Sequence, residues 1–196
     1  ILVNGGSSGR DLGAGLEAWL PPTQRRLAGV FLTTSKSSTL KGLVDGLERW
    51  RPDVIYWPED AATSSAGQKL TEQLEMSGQT LETGMSFDLG AGVTLPIPAA
   101  SQSEAALRLS FGDFDALFSG EIGISDVQKK PDGVDYILLS PAELESLQPD
   151  GVRPLGGGLE PGLEAGQGGS PYLVLAQHSW IQIVTDGKQV WISQQP

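Results

Sequence analysis

Cysteine is absent from this chain of 196 residues, and histidine occurs once, at His178. The first absence removes disulfides, thiolate metal sites and a cysteine nucleophile together. With one imidazole, beside Trp180, and no G-x-S-x-G elbow to carry a serine, a Ser-His-Asp triad has no footing either. Basic residues are scarce: 13 Lys and Arg against 24 Asp and Glu leave a net charge of −11. They cluster only in twos, at Arg25-Arg26, Arg49/Arg51 and Lys129-Lys130. Each phosphate neutralised by a protein needs a Lys or Arg, so this balance argues against direct DNA binding. No apolar run approaches the roughly 20 residues that span a bilayer, so this stretch is expected to be soluble and not to insert into a membrane.

What is present reads as one globular domain over residues 1–196, with 39% hydrophobic and 19% charged residues. A chain of this size can bury roughly 70% of its unfolded surface. It opens on Ile1-Leu2-Val3, already strand-like and without Met or a signal segment, so Ile1 is not expected to be a natural terminus. A glycine-rich turn follows, Asn4 to Gly9, whose spacing fits neither the P-loop nor the dinucleotide fingerprint. Leu12, Leu16, Trp19 and Leu20 then recur at helical spacing up to Pro21-Pro22.

The segment Phe31 to Leu43 reads F-L-T-T-S-K-S-S-T-L-K-G-L. The apolar run Leu27 to Leu32 predicts a strand, and a helix is expected from Thr39 to Trp50, with Thr39 as its N-cap. A strand at Val54 to Trp57 completes a βαβ unit. A turn that leaves a strand's carboxyl end and enters a helix is where α/β proteins place functional side chains. Lys36, Ser38 and Thr39 would be the contacts if this turn took an anion.

Further on, a weaker helix is expected over Ala62 to Ser77 with Gly78 as its stop, then a meander of short antiparallel strands from Thr80 to Pro98. Ala105 to Phe111 and Phe114 to Phe118 predict a hairpin about Gly112-Asp113. Val134 to Leu139 predicts a strand, residues 151–170 a long glycine-rich loop, and Trp180 to Val184 with Val190 to Ile192 a final hairpin through Asp186-Gly187. The carboxylate pairs Asp113/Asp115 and Glu143/Glu145 have the spacing of ordinary surface charge.

The segment Phe31 to Leu43 resembles the metallo-β-lactamase superfamily signature, a strand, then T-H-x-H-x-D-H, then a helix starting G-G-L. The version it is most similar to is the C-terminal domain of ComEC-type DNA-uptake (competence) proteins. Leu32, Thr33, Gly42 and Leu43 match the frame, while the ligand positions fall on Thr34, Lys36, Ser38 and Thr39. Asn4 stands where the family's I-L-I-D-G-G carries an acidic residue. The hairpin about Gly112-Asp113-Phe114 leads to Ser119-Gly120-Glu121 in place of T-G-D, and the last ligand histidine falls on Pro141 or Ala142.

The resemblance implies an α/β (α+β) fold, an αββα sandwich of two mixed sheets flanked by helices, with the first strands missing before Ile1. It also implies an extracytoplasmic domain of a membrane protein. Its partners would be the channel portion of the same protein or other uptake proteins. With the ligand set gone, the expectation is a non-catalytic domain with no cofactor. Two alternatives stay open: a hydrolase using rearranged carboxylates at Glu121, Asp113 and Glu104 with magnesium or manganese, and an anion-binding module at Lys36.

Overall fold

A computed structural model describes residues 1–6, 8–118, 136–138, 153–154 and 180–195. In chain order the first elements are β1 (Leu2–Val3), α1 (Gly9–Trp19), β2 (Arg26–Leu27), β3 (Val30–Phe31) and α2 (Ser37–Gly46). Next come β4 (Arg51–Pro52), β5 (Ile55–Trp57), α3 (Glu59–Thr63), α4 (Ser65–Leu74), β6 (Gln79–Thr80), β7 (Ser86–Gly90), β8 (Val93–Pro96) and β9 (Ala99–Ala100). Then follow β10 (Ala105–Phe111), β11 (Phe114–Phe118), β12 (Tyr136–Leu138), β13 (Arg153–Pro154), β14 (Trp180–Thr185) and β15 (Val190–Gln195). They fall into two compact units, residues 1–83 with 100–105, and residues 84–99 with 106–196.

In the first unit β1, β3, β5 and β6 form a parallel sheet in that order. Parallel strands buried by helices read as apolar runs, and Val30, Leu32 and Ile55 accordingly join Leu40, Leu43 and Leu70 in a core with no exposure at all. Phe31 stacks on Tyr56 across the β3–β5 pair, with ring centroids 4.9 Å apart. The run Leu27 to Leu32 is two strands, because β2 leaves at Leu27 to pair with β4. That pairing sets Arg26 opposite Arg51 and merges two arginine pairs that are distant in sequence. Each of three arginines meets a carboxylate: Arg26 with Asp53, Arg49 with Glu17 and Arg51 with Glu75.

Several expected boundaries move. The first helix sets the half-buried Leu12 and Leu16, with its C-cap Leu20, against the core, while Trp19 is 51% exposed. The span Ala62 to Ser77 is broken at Ser64, whose hydroxyl accepts the Gly67 N–H at 3.0 Å and caps α4. That helix stops at Glu75, in the left-handed region at φ 54°, and not at Gly78. Thr80 belongs to the parallel sheet beside Trp57 and not to the meander.

The second unit holds the meander and hairpins where they are expected. β7 and β8 pair antiparallel, and β10 and β11 pair with Phe111 opposite Phe114. β12 then lies parallel to β11. Arg108 grips Asp115 with two hydrogen bonds of 2.9 and 2.6 Å, and this contact raises the guanidinium pKa further above its ordinary value. The Asp186 carboxylate accepts the Gln189 and Lys188 N–H groups in the β14–β15 turn, which holds its pKa below the usual range.

Candidate functional site

The site is assembled at the carboxyl ends of β1 and β3. Where β1 ends, Asn4 adopts φ 57° and its N–H donates to the Phe31 carbonyl at 2.8 Å. Asparagine is among the few non-glycine residues that adopt this conformation readily. Its side chain meets Thr33 twice over: the Thr33 N–H donates to Oδ1 at 2.9 Å, and Nδ2 donates to Thr33 Oγ1 at 3.0 Å. Thr33 is 2% exposed, so its N–H has no access to water and needs such an acceptor.

The segment from Ser103 to Ala105 closes the other side of the loop. Ala105 N–H donates to the Thr33 carbonyl and Ser35 N–H to the Ser103 carbonyl, both at 2.8 Å, while Thr34 faces Glu104 in an antiparallel bridge. Thr34 is buried and its hydroxyl accepts the Lys36 N–H at 3.3 Å. The N-cap of α2 is Lys36, at φ −59° and ψ 131° and with no side-chain cap. Thr39, expected as the cap, is the third residue of the helix, and its N–H is bonded to the Lys36 carbonyl at 3.1 Å. The helix also ends sooner than expected, at Gly46. Lys36 and Ser38 are exposed and Thr39 is half-buried, so the three contacts named for an anion share one turn at the head of the helix.

These residues do not fit a transition metal. Zinc and iron take imidazole, thiolate or carboxylate; positions 34, 38 and 39 offer neutral hydroxyls, Lys36 an ammonium, and Asn4 an amide already committed to Thr33. Among the described residues no three His, Cys, Asp or Glu side chains come together. Glu121, Pro141 and Ala142, as well as His178, lie outside the described residues. Of the rearranged carboxylates, Glu104 precedes β10 in the chain and Asp113 follows it.

Sequence reasoning missed two features here. One is the Asn4–Thr33 pairing, which joins residues 29 positions apart. The other is a cleft of about 490 Å³ at the carboxyl ends of β5 and β6, lined by Glu59, Thr80, Glu82, Thr83, Ser101 and Gln102. Its one sequence signal was Pro58-Glu59 directly after a strand.

No family model and no curated protein matches the sequence. Solved structures do. The chain is similar to Zn(2+)-bound PqqB from Methylobacterium extorquens, with 13% identity and a TM-score of 0.51 over 69% of this chain and 54% of PqqB. It also aligns with CmlA, a diiron β-hydroxylase from Streptomyces venezuelae, at 14% identity and a TM-score of 0.42, over 63% of this chain and 26% of CmlA. A mutant of the same hydroxylase aligns at 13% identity and a TM-score of 0.45. The chain thus spans about half the length of PqqB and about a quarter of CmlA. These neighbours belong to the metallo-β-lactamase superfamily. The mixed α/β architecture described above, with its separate sheets and flanking helices, matches the metallo-β-lactamase fold.

Proposed function

We propose that this chain is a non-catalytic metallo-β-lactamase-fold domain of a ComEC-like competence protein, with a structural or interaction role in DNA uptake outside the cytoplasm. One observation carries the reading: an intact strand–loop–helix frame whose ligand positions, Thr34, Lys36, Ser38 and Thr39, hold three hydroxyls and an ammonium. The superfamily's hydrolytic chemistry needs a metal to bring the pKa of water down to about 7, and no residue of this loop is suited to hold one. The Gly112-Asp113-Phe114 turn between β10 and β11 supports the resemblance. The partners are then the channel portion of the same protein or other uptake components, because the acidic balance disfavours contact with the DNA itself. Among the described residues no helix is long and apolar enough to cross a membrane.

The test uses the full-length protein in a transformation assay. Deleting this domain is expected to lower DNA uptake, and Glu121→Ala to leave it unchanged. Uptake that survives the deletion would remove the assigned role. Uptake lost in Glu121→Ala, together with metal-dependent cleavage of DNA, would establish the hydrolase alternative.

A further inference from the structure

We infer that the hairpin of β14 and β15 is a self-association surface. A second copy of this chain pairs with one of its outer edges, and the two hairpins form a four-stranded antiparallel sheet about a twofold axis. The inference goes beyond the functional reading and does not rest on it.

An outer strand presents a row of unpaired N–H and C=O groups, and proteins blunt such edges by keeping them short or by placing charges, prolines or bulges on them. The other outer strands are defended in these ways. Strands β1, β2, β4, β6 and β9 are two residues long each. The large sheet of the second unit ends on one side in β13, which is only Arg153-Pro154, and on the other in β7, which carries Asp88 and a register shift between Asp88 and Gly90.

The hairpin has none of these devices. β14 reads W-I-Q-I-V-T and β15 reads V-W-I-S-Q-Q, six residues each without a charge, a proline or a glycine. Six consecutive pairs, from Trp180 opposite Gln195 to Thr185 opposite Val190, run without a bulge. Among the described residues each strand pairs only with the other, so each keeps one open edge. A two-stranded ribbon is marginal in water, and further strands stabilise it. Its turn end is already fixed, because Asp113 N–H donates to the Gly187 carbonyl and the Asp186 carboxylate accepts the Lys188 and Gln189 N–H groups.

Charge and symmetry identify the occupant. Two copies of a chain with a net charge of −11 repel one another, and the twelve uncharged strand residues are where they can approach. Val184 and Trp191 stand opposite each other there, 47% and 50% exposed. Antiparallel pairing of one strand with its own copy has a twofold axis normal to the sheet, which lays both Val184–Trp191 pairs on one face and closes the contact at two copies.

Sedimentation equilibrium of the intact chain tests this. The wild type is expected to form dimers, and the association should strengthen as salt rises, because salt screens the repulsion between like-charged copies. Trp191→Lys should weaken association at least about tenfold with the far-UV circular dichroism unchanged. Val184→Lys should act in the same direction, and it keeps the test readable if Trp191→Lys fails to fold. Trp19→Lys, which replaces a tryptophan of the first unit exposed to the same degree, should leave the dimer intact. A wild type that stays monomeric up to about 1 mM would overturn the inference, as would association weakened by salt, growth beyond two copies, or an equal loss in Trp19→Lys. Binding of the monomer to phosphatidylcholine vesicles through Trp191, in place of dimerisation, would overturn it too. None of these results bears on the uptake assay above, so the two proposals fail separately.

Discussion

Gly42→Ala is expected to destabilise the first unit by about 3 kcal/mol, the upper end of the usual cost of overpacking. On an isolated helix the same change would be favourable by about 1 kcal/mol, since alanine is the better helix former. The structure reverses the sign. A Cβ on Gly42 would stand 2.0 Å from the Gly6 carbonyl oxygen and 2.6 Å from that of Gly5, and backbone cannot swing aside as a flexible side chain can. Helix α2 would have to lift from the turn after β1, opening the contact of Leu43 with the core beneath it. Urea denaturation read by tryptophan fluorescence would report it, through Trp50 and Trp57, both 2% exposed. Unchanged stability would mean that the helix and the turn do not touch in this way.

Gly78→Ala should cost a similar amount, about 2–3 kcal/mol. Here the obstacle is a rigid ring. A Cβ on Gly78 would lie 2.2 Å from Cε2 and 2.4 Å from Cζ2 of Trp57, whose indole is packed among the core side chains and has no room to rotate. The strain would fall on the β5–β6 pair, where Tyr56 and Trp57 face Gln79 and Thr80. Gly13→Ala on α1, where an added Cβ would meet nothing, is the control for the added methyl. A shifted tryptophan emission accompanying the loss for Gly78→Ala alone would locate the effect at Trp57. A thermal midpoint equal to wild type would show that the turn relaxes freely.

Both glycines explain what the sequence makes visible. Leu32, Thr33, Gly42 and Leu43 are recognisable because packing demands them: Leu32 and Leu43 are wholly buried and Gly42 lies against two carbonyls. Such demands act on residue size and hydrophobicity, which can be read one position at a time. The paired hairpins are legible for a similar reason, since strand alternation and an Asp-Gly turn are local signals.

Elements decided by distant partners were not legible. Ser37, Ser38 and Thr39 are all acceptable caps in isolation, yet the cap is Lys36 and all three lie inside the helix, because Ser35 is pinned to Ser103, far along the chain. The run Leu27 to Leu32 splits because β2 finds β4, a pairing that no local pattern announces. Gly78 looks like a helix stop but serves as the space that Trp57 fills, while the stop is made by Glu75 in a conformation that glutamate rarely takes. At the site, the hydroxyls of Thr34, Ser38 and Thr39 and the ammonium of Lys36 were readable from residue type alone. The Asn4–Thr33 pairing needed the fold to bring β1 beside β3.

The central claim is that the frame of a metal site survives without its metal, and elemental analysis of the purified protein tests it most directly. After incubation with zinc, manganese, iron or magnesium and then desalting, the account predicts no stoichiometric metal, with Glu121→Ala indistinguishable from wild type. One or more equivalents of metal retained by the wild type and lost in Glu121→Ala would contradict it.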